Sequence, residues 1–239
     1  MTDDAFGHVV KDYYDGENCF EIVERDDGLI EATSPEKYFK EYEEWNENEK
    51  EVIKHAKGKI IDIGAGVGRH SLYLQKQGKE VLATDKSPLA VKVCEKRGLK
   101  NTKILDIRNI DELNQELDTV LLLGNNFGLV GGRERSQEIL KKIDEVTSEE
   151  ALILASTTNP NQTDDPKHLE YHEKNREEGK MPGLLRLRVR YKKYKGEWLN
   201  YLLVSKKEMK QILEDTVWRV KEFVDKDEEP HYCAVIEKK

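Results

Sequence analysis

Three glycines at alternate positions, Gly64, Gly66 and Gly68, follow the apolar run Lys59-Ile60-Ile61-Asp62-Ile63 and lead into a helical pattern that begins at Arg69. A strand, a glycine loop and a helix in that order let the backbone turn sharply and approach a ligand, while the helix amino terminus offers free amide donors. The dinucleotide fingerprint calls for a third small residue at position 69, where this chain has Arg69. A bulky side chain there opposes close pyrophosphate packing and disfavours an NAD-dependent reductase. Asp85, followed by Lys86, ends the next apolar run, Val81-Leu82-Ala83-Thr84. A carboxylate at a strand's carboxyl end accepts two hydrogen bonds from a diol, a feature that NAD enzymes share. Further along, Arg186, Arg188 and Arg190 alternate with Leu185, Leu187, Val189 and Tyr191. In a strand this puts the three arginines on one face, where guanidinium forks suit carboxylates and phosphates or pair with nearby acidic side chains.

The loop resembles motif I of the class I S-adenosylmethionine-dependent methyltransferases, acidic-x-Gly-x-Gly-x-Gly, which Asp62, Gly64, Gly66 and Gly68 match in place. The resemblance implies S-adenosyl-L-methionine as cofactor, with Asp62, Gly64, Ala65 and Gly66 in its loop and Asp85 and Lys86 at its ribose. It puts Asp106 at the adenine amine, with Ile107 beside the ring. Gly124-Asn125-Asn126-Phe127 looks like the Gly-Asn-Ser-Phe segment of small-molecule amine methyltransferases related to glycine N-methyltransferase. It departs from the Asn-Pro-Pro-Tyr form of nucleic-acid and protein amide methylators, because no proline follows Asn125. Gly124 and Asn125 would then meet the cofactor, and Asn125 and Asn126 the methyl acceptor. The motifs span roughly residues 58 to 160. The whole chain is also similar to a group of small methyltransferases with the same long insertion and a Gly-Asn-Asn-Phe-Gly-Leu segment, a likeness that names no acceptor. On the residues alone, Asp85 and Asp106 also suit a solvated strand end or helix cap, and Asn125 suits satisfying backbone groups at a strand end.

The elements that must hold these residues alternate from Lys59 onward. Short Ile, Val and Leu runs at KIIDI, EVLAT, TKIL, TVLLLG and ALILAST are separated by helical patterns, one of them starting about Arg133. Buried parallel strands read this way, and the helices between them supply the crossovers. Ser87 and Pro88 form a helix cap and first turn, and Gly78 and Gly98 stop the helices before them. The expected fold is α/β, a doubly wound, Rossmann-like, seven-stranded and mostly parallel sheet. A helix from Ser205 and strands around 217–224 and 232–237 complete it.

Two pieces fall outside the alternation. Residues 1–57 read as an aromatic-rich helical cap with a turn at Asp26-Asp27-Gly28 and a second helix opened by Ser34 and Pro35. Residues 160–204 read as an insertion after the fifth strand, made of a polar loop, a charged helix and a β-hairpin. This divides the chain into a cap or lid (1–57) and a cofactor-binding methyltransferase domain (58–239). Tyr13, Tyr14, Tyr38, Tyr42 and Trp45 are candidates to line a pocket from the cap, at a spacing equally suited to packing. His168, His172 and His231 are the candidate bases by region, although an isolated histidine is more often structural. Tyr38, His172, Arg186 and Arg188 join Asn125 and Asn126 as candidate acceptor contacts.

Charged residues make up 37% of the 239, against ~25% in average proteins, and the net charge is -8. An acidic chain lacks the broad basic surface of a nonspecific nucleic-acid binder, although Lys192, Lys193 and Lys195 extend the basic run of the hairpin. Cys19, Cys94 and Cys233 are scattered and odd in number, which argues for a reducing compartment and against a zinc cluster. No run approaches the ~20 apolar residues of a membrane span, and the acidic start lacks the order of a signal peptide. The expectation is a cytoplasmic methyltransferase with a small, anionic acceptor, no metal and no membrane partner. A methyltransferase acting on RNA or protein, and a noncatalytic cofactor-binding protein, are the alternatives.

Overall fold

The computed structural model describes residues 3–226 and 229–239. In chain order the elements are α1 (Ala5–Tyr14), β1 (Glu21–Arg25), β2 (Ile30–Thr33), α2 (Glu47–Val52), β3 (Lys59–Ile63), α3 (Arg69–Lys76), β4 (Glu80–Asp85), α4 (Pro88–Lys96) and β5 (Thr102–Ile104). They continue as β6 (Leu117–Leu122), α5 (Arg133–Glu145), β7 (Thr147–Thr158), α6 (Pro166–Glu177), β8 (Leu184–Tyr191), β9 (Tyr194–Lys195), β10 (Leu199–Leu202), α7 (Lys206–Glu214), β11 (Trp218–Val224) and β12 (His231–Lys238). Short 3-10 turns cover Pro35–Tyr38, Tyr42–Glu44, Ile53–His55, Ile107–Glu112 and Asn126–Val130.

A seven-stranded sheet runs in the order β11-β12-β7-β6-β3-β4-β5. β4 pairs with β5 and β6 with β7 in parallel, while β12 lies antiparallel between β11 and β7. This is the doubly wound, mostly parallel architecture expected from the alternation. Val120 to Leu123, Ile153 to Ala155 and Cys233 to Ile236 are fully buried, as strands covered on both faces require. The predicted helix starts hold as well. The Ser87 side chain accepts from the Ala90 amide at the head of α4, and Ser205 forms a capping box with Glu208 at the head of α7.

The amino-terminal piece corrects the sequence expectation. It is not a helical cap: α1 is followed by a β1–β2 hairpin turned at Asp26-Asp27-Gly28, and Ser34-Pro35 opens only a 3-10 turn. The two strands join a second sheet in the order β10-β8-β1-β2, with β9 on β8. The physical reason is distance along the chain. β1 completes its hydrogen bonding on β8, through pairs such as Val23 with Val189, and no local pattern announces that partner. The expected hairpin in the insertion is present, turned at Lys192, whose φ is +49°.

The chain folds into two compact units that cut across the boundary read at residue 57. The first holds residues up to 45, 61–106 and 186–199; the second holds 46–60, 107–185 and 200–239. In the first, Val9 and Val10 of α1 pack with Val67, Ala90, Val93 and Tyr191, and Phe6, Tyr13 and Tyr38 lie against that core. In the second, α5 buries Ser136, Ile139, Leu140 and Ile143, a spacing that aligns them on one helical face. Trp218 closes that core, donating its indole N–H to the Leu140 carbonyl at 3.0 Å. Among the described residues, no helix is long and apolar enough to cross a membrane.

Candidate functional site

In the first unit the backbone of the glycine loop is left-handed at Gly64, Gly66 and Gly68, with φ of 66°, 58° and 78°. At Gly68 a Cβ would also stand 2.4 Å from Leu99 Cδ1, so a side chain there would have to displace that leucine. The Ala65 amide donates to the Thr84 carbonyl at 2.9 Å, and the Gly66 amide to Asp85 Oδ2 at 2.9 Å. The outer side of the loop is braced by α4: Cys94 Sγ donates to the Gly66 carbonyl and Arg97 to the Val67 carbonyl. Asp62 is buried beneath, accepting from the Ser71 hydroxyl at 2.7 Å, and its burial pushes the carboxyl above the ordinary aspartate range. Asp62 therefore ties the end of β3 to α3, on either side of the loop, inside the protein.

Asp85 is 8% exposed and spends one lone pair of each oxygen on a backbone amide, Oδ2 on Gly66 and Oδ1 on Ser87. A carboxylate has about four acceptor sites, so roughly two remain for a diol. Burial pushes its pKa up to about 6, the two amides oppose the rise, and the charge on Asp4 adds to it. Lys86 is exposed beside it. Asp106 follows β5, whose Ile104 pairs with Asp85 in register, so the two acidic positions lie at neighbouring strand ends. Tyr38 donates its hydroxyl to Glu21 at 2.8 Å and meets Phe6 edge-on, with ring centroids 5.2 Å apart. Phe6 in turn lies against the loop, its Cζ 3.5 Å from where a Cβ on Gly66 would stand. Phe6 carries no sequence signal beyond its place on the apolar face of a short helix.

The arginine row sits on β8 beside β1. Arg188 forks onto Glu24 through Nε and Nη2, both at 2.9 Å, and Arg190 reaches the same carboxylate at 3.2 Å. Arg186 and Arg188 both lie over the Trp198 ring, the latter at 4.4 Å. Trp45 is buried and packs with Tyr42, His70 and Tyr73, while Tyr13 packs on Phe39 and Tyr14 stays partly exposed with its hydroxyl near the Lys96 carbonyl. Tyr13, Tyr42 and Trp45 thus pack on neighbouring rings within the first unit.

In the second unit, Gly124, Asn125 and Asn126 form the turn after β6. Asn125 holds a left-handed φ of 68°, costly for a side-chain-bearing residue. Four hydrogen bonds hold it there. Its amide donates to Ser156 Oγ at 2.9 Å and its Oδ1 accepts from the Thr158 hydroxyl at 3.2 Å. Its carbonyl accepts from the Tyr201 hydroxyl at 2.6 Å and the Gly128 amide at 2.9 Å. The Tyr201 ring fills the space that a side chain on Gly128 would need, 2.6 Å from that Cβ position, and burial pushes its phenol well above the ordinary tyrosine range. Ser156, Thr158 and Tyr201 were not singled out from the sequence. The hydroxyl ending of the apolar run ALILASTT was the available signal for the first two, and Tyr201 had none. Ile107 is buried in the 3-10 turn after Asp106. His172 is buried on α6, His168 is half-buried, and the His231 carbonyl accepts from Asn48.

The fold is Rossmann-like, with the glycine loop between β3 and α3. Residues 60–150 match the family described as a methyltransferase domain. Over 99% of the chain, the fold is similar to that of an S-adenosylmethionine-dependent methyltransferase from Bacteroides fragilis solved with S-adenosyl-L-homocysteine. The TM-score is 0.83, the identity 24% and the coverage of that chain 95%. The CcbJ methyltransferase from Streptomyces caelestis aligns with a TM-score of 0.62 and 14% identity over 98% of both chains. CalS10, an amino pentose methyltransferase from Micromonospora echinaspora, aligns with a TM-score of 0.58 and 11% identity over 83% of this chain and 94% of its own. No curated protein sequence matches the chain.

Proposed function

We propose that the chain transfers a methyl group from S-adenosylmethionine to a small acceptor. The observation that carries this reading is the glycine loop of the methyltransferase domain, with the Gly66 amide on Asp85 and acceptor sites of that carboxylate still open. A buried carboxylate with two uncommitted lone pairs beside a bare left-handed loop fits a ribose diol. When bound, the cofactor supplies an electrophilic methyl carbon on a sulfonium. Asp62 holds the loop from below, Asp85 takes the ribose hydroxyls and Asp106 the adenine edge. Gly64, Ala65 and Gly66 let the backbone approach, and Lys86, Ile107, Gly124 and Asn125 complete the proposed set. The chain contributes orientation and exclusion of water, which suffice for several powers of ten in rate.

On the acceptor side the proposed residues are Asn125, Asn126, Tyr38, His172, Arg186 and Arg188. The rigid Asn125 turn supports a positioning role for its side chain. A small molecule is supported by the resemblance at motif IV and by the fold shared with CalS10, an amino pentose methyltransferase. The narrower reading, an anionic acceptor on the arginines, competes with Glu24, which already occupies the Arg188 fork. Calorimetry with S-adenosylhomocysteine tests the cofactor reading, with saturable binding as the expected result and no heat as the result that defeats it. Transfer of a labelled methyl group to parallel pools of small amines, carboxylates and phosphate esters then identifies the acceptor class.

A further inference from the structure

Asp4 performs two tasks with its two oxygens. Oδ1 accepts from the Gly7 amide at 2.9 Å, the ordinary N-cap bond of α1. Oδ2 reaches far along the chain to α4, accepting from the Ser87 hydroxyl at 2.8 Å and the Leu89 amide at 3.2 Å. Ser87 is itself the N-cap of α4, and its amide donates to Asp85 Oδ1. One carboxylate therefore joins the amino ends of two helices, where the partial positive charge of both favours it. Gly7 makes the approach possible: a Cβ there would stand 2.4 Å from both Asp4 Oδ2 and Ser87 Oγ. Capping alone explains neither the second oxygen nor the choice of aspartate. The Asp4 charge disfavours ionisation of nearby Asp85, a cost that an asparagine or serine cap would avoid.

We propose that Asp4 is a positioning residue for cofactor retention, tying α1 to α4 so that Phe6 is held against the glycine loop. The proposal rests on the reading that this loop holds S-adenosylmethionine. With the tie in place, Val9 and Val10 pack on Val67, Ala90 and Val93, and Phe6 is fixed between Tyr38 and Gly66. Without it, α1 keeps its apolar face but loses its polar attachment at the end nearest the loop, and bound nucleoside escapes faster.

The test uses the full chain and S-adenosylhomocysteine, with association and dissociation rates measured separately by surface plasmon resonance. Asp4→Asn keeps a good cap for α1 but has one acceptor oxygen, so it separates capping from bridging. Gly7→Ala displaces the Asp4 carboxylate, bridge and cap together, because its Cβ would also stand 2.6 Å from Asp4 Cγ, while the higher helix propensity of alanine offsets the lost cap. Both variants are expected to release the ligand about tenfold faster with association unchanged, the equivalent of one hydrogen bond to a charged group. Far-UV circular dichroism verifies that each is folded. Wild-type binding with unchanged release from folded Asp4→Asn would overturn the proposal alone. Absence of binding by the wild-type chain would overturn the reading of the loop as well.

Discussion

Asp85 is the residue whose protonation state bears most directly on the loop. Its pKa of about 6 lies above that of an unfolded aspartate, so the folded state holds the proton more tightly than the unfolded chain. Stability from this group is complete below the unfolded value, near pH 4, and is lost as pH rises through about 6. With Asp85 at the ribose as proposed, ligand binding has the opposite sign, because diol hydroxyls donate to the ionised form. Affinity for S-adenosylhomocysteine is therefore expected to fall about tenfold per pH unit below that pKa, and titration calorimetry on Asp85→Asn should show no such fall. Asp85→Ala should weaken binding by about 1.5–3 kcal/mol, and unchanged affinity would remove Asp85 from the site. At Asn125 the stake is the strained turn. Tyr201→Phe keeps the ring against Gly128 but removes the donor to the Asn125 carbonyl, at an expected cost of about 1–3 kcal/mol in urea denaturation.

Pairing of β8 with β1 illustrates what an element adds to its residues. The alternation of arginine with Leu and Val announces a strand with one basic face, and that much was legible. The face acquires its meaning from β1, which sets Glu24 opposite Arg188 and turns two like charges into a shared pair. The guanidinium forks hold the Glu24 carboxyl below the ordinary range. Glu24→Gln should lower the thermal midpoint at low salt, and the gap from wild type should narrow near 1 M salt, where screening acts within about 3 Å. A gap of the same size at both salts would show that the pair acts through packing. Helix α4 serves the site twice: Cys94 and the C-cap residue Arg97 donate to carbonyls of the loop, and Ser87 at its head donates to Asp85.

For the whole molecule, a ligand that binds only the folded chain stabilises it by mass action. S-adenosylhomocysteine at about 100 times its dissociation constant should add about 2.7 kcal/mol, a rise of about 5–11 °C in the melting midpoint for a chain of this length. Differential scanning fluorimetry reads this directly, and a midpoint indifferent to the ligand would count against the proposed cofactor. The same scan with NAD is expected to show no shift, since Arg69 stands where the dinucleotide fingerprint needs a small residue.

Local chemistry decided much of this protein before any tertiary contact. The period of the apolar runs, the caps at Ser87 and Ser205, and Gly64, Gly66 and Gly68 after β3 depend on residues close in sequence, and each was legible there. The pairing of β1 with β8, the Glu24 fork on Arg188, the Tyr201 hydroxyl on Asn125 and the two-handed Asp4 depend on partners dozens to more than a hundred and fifty residues away. A strand pattern states which way its side chains alternate but not which strand it will meet, and a lone aspartate states that it can cap but not what its second oxygen will hold. Those choices belong to the packed chain, because only there do the remote donors come within hydrogen-bonding distance.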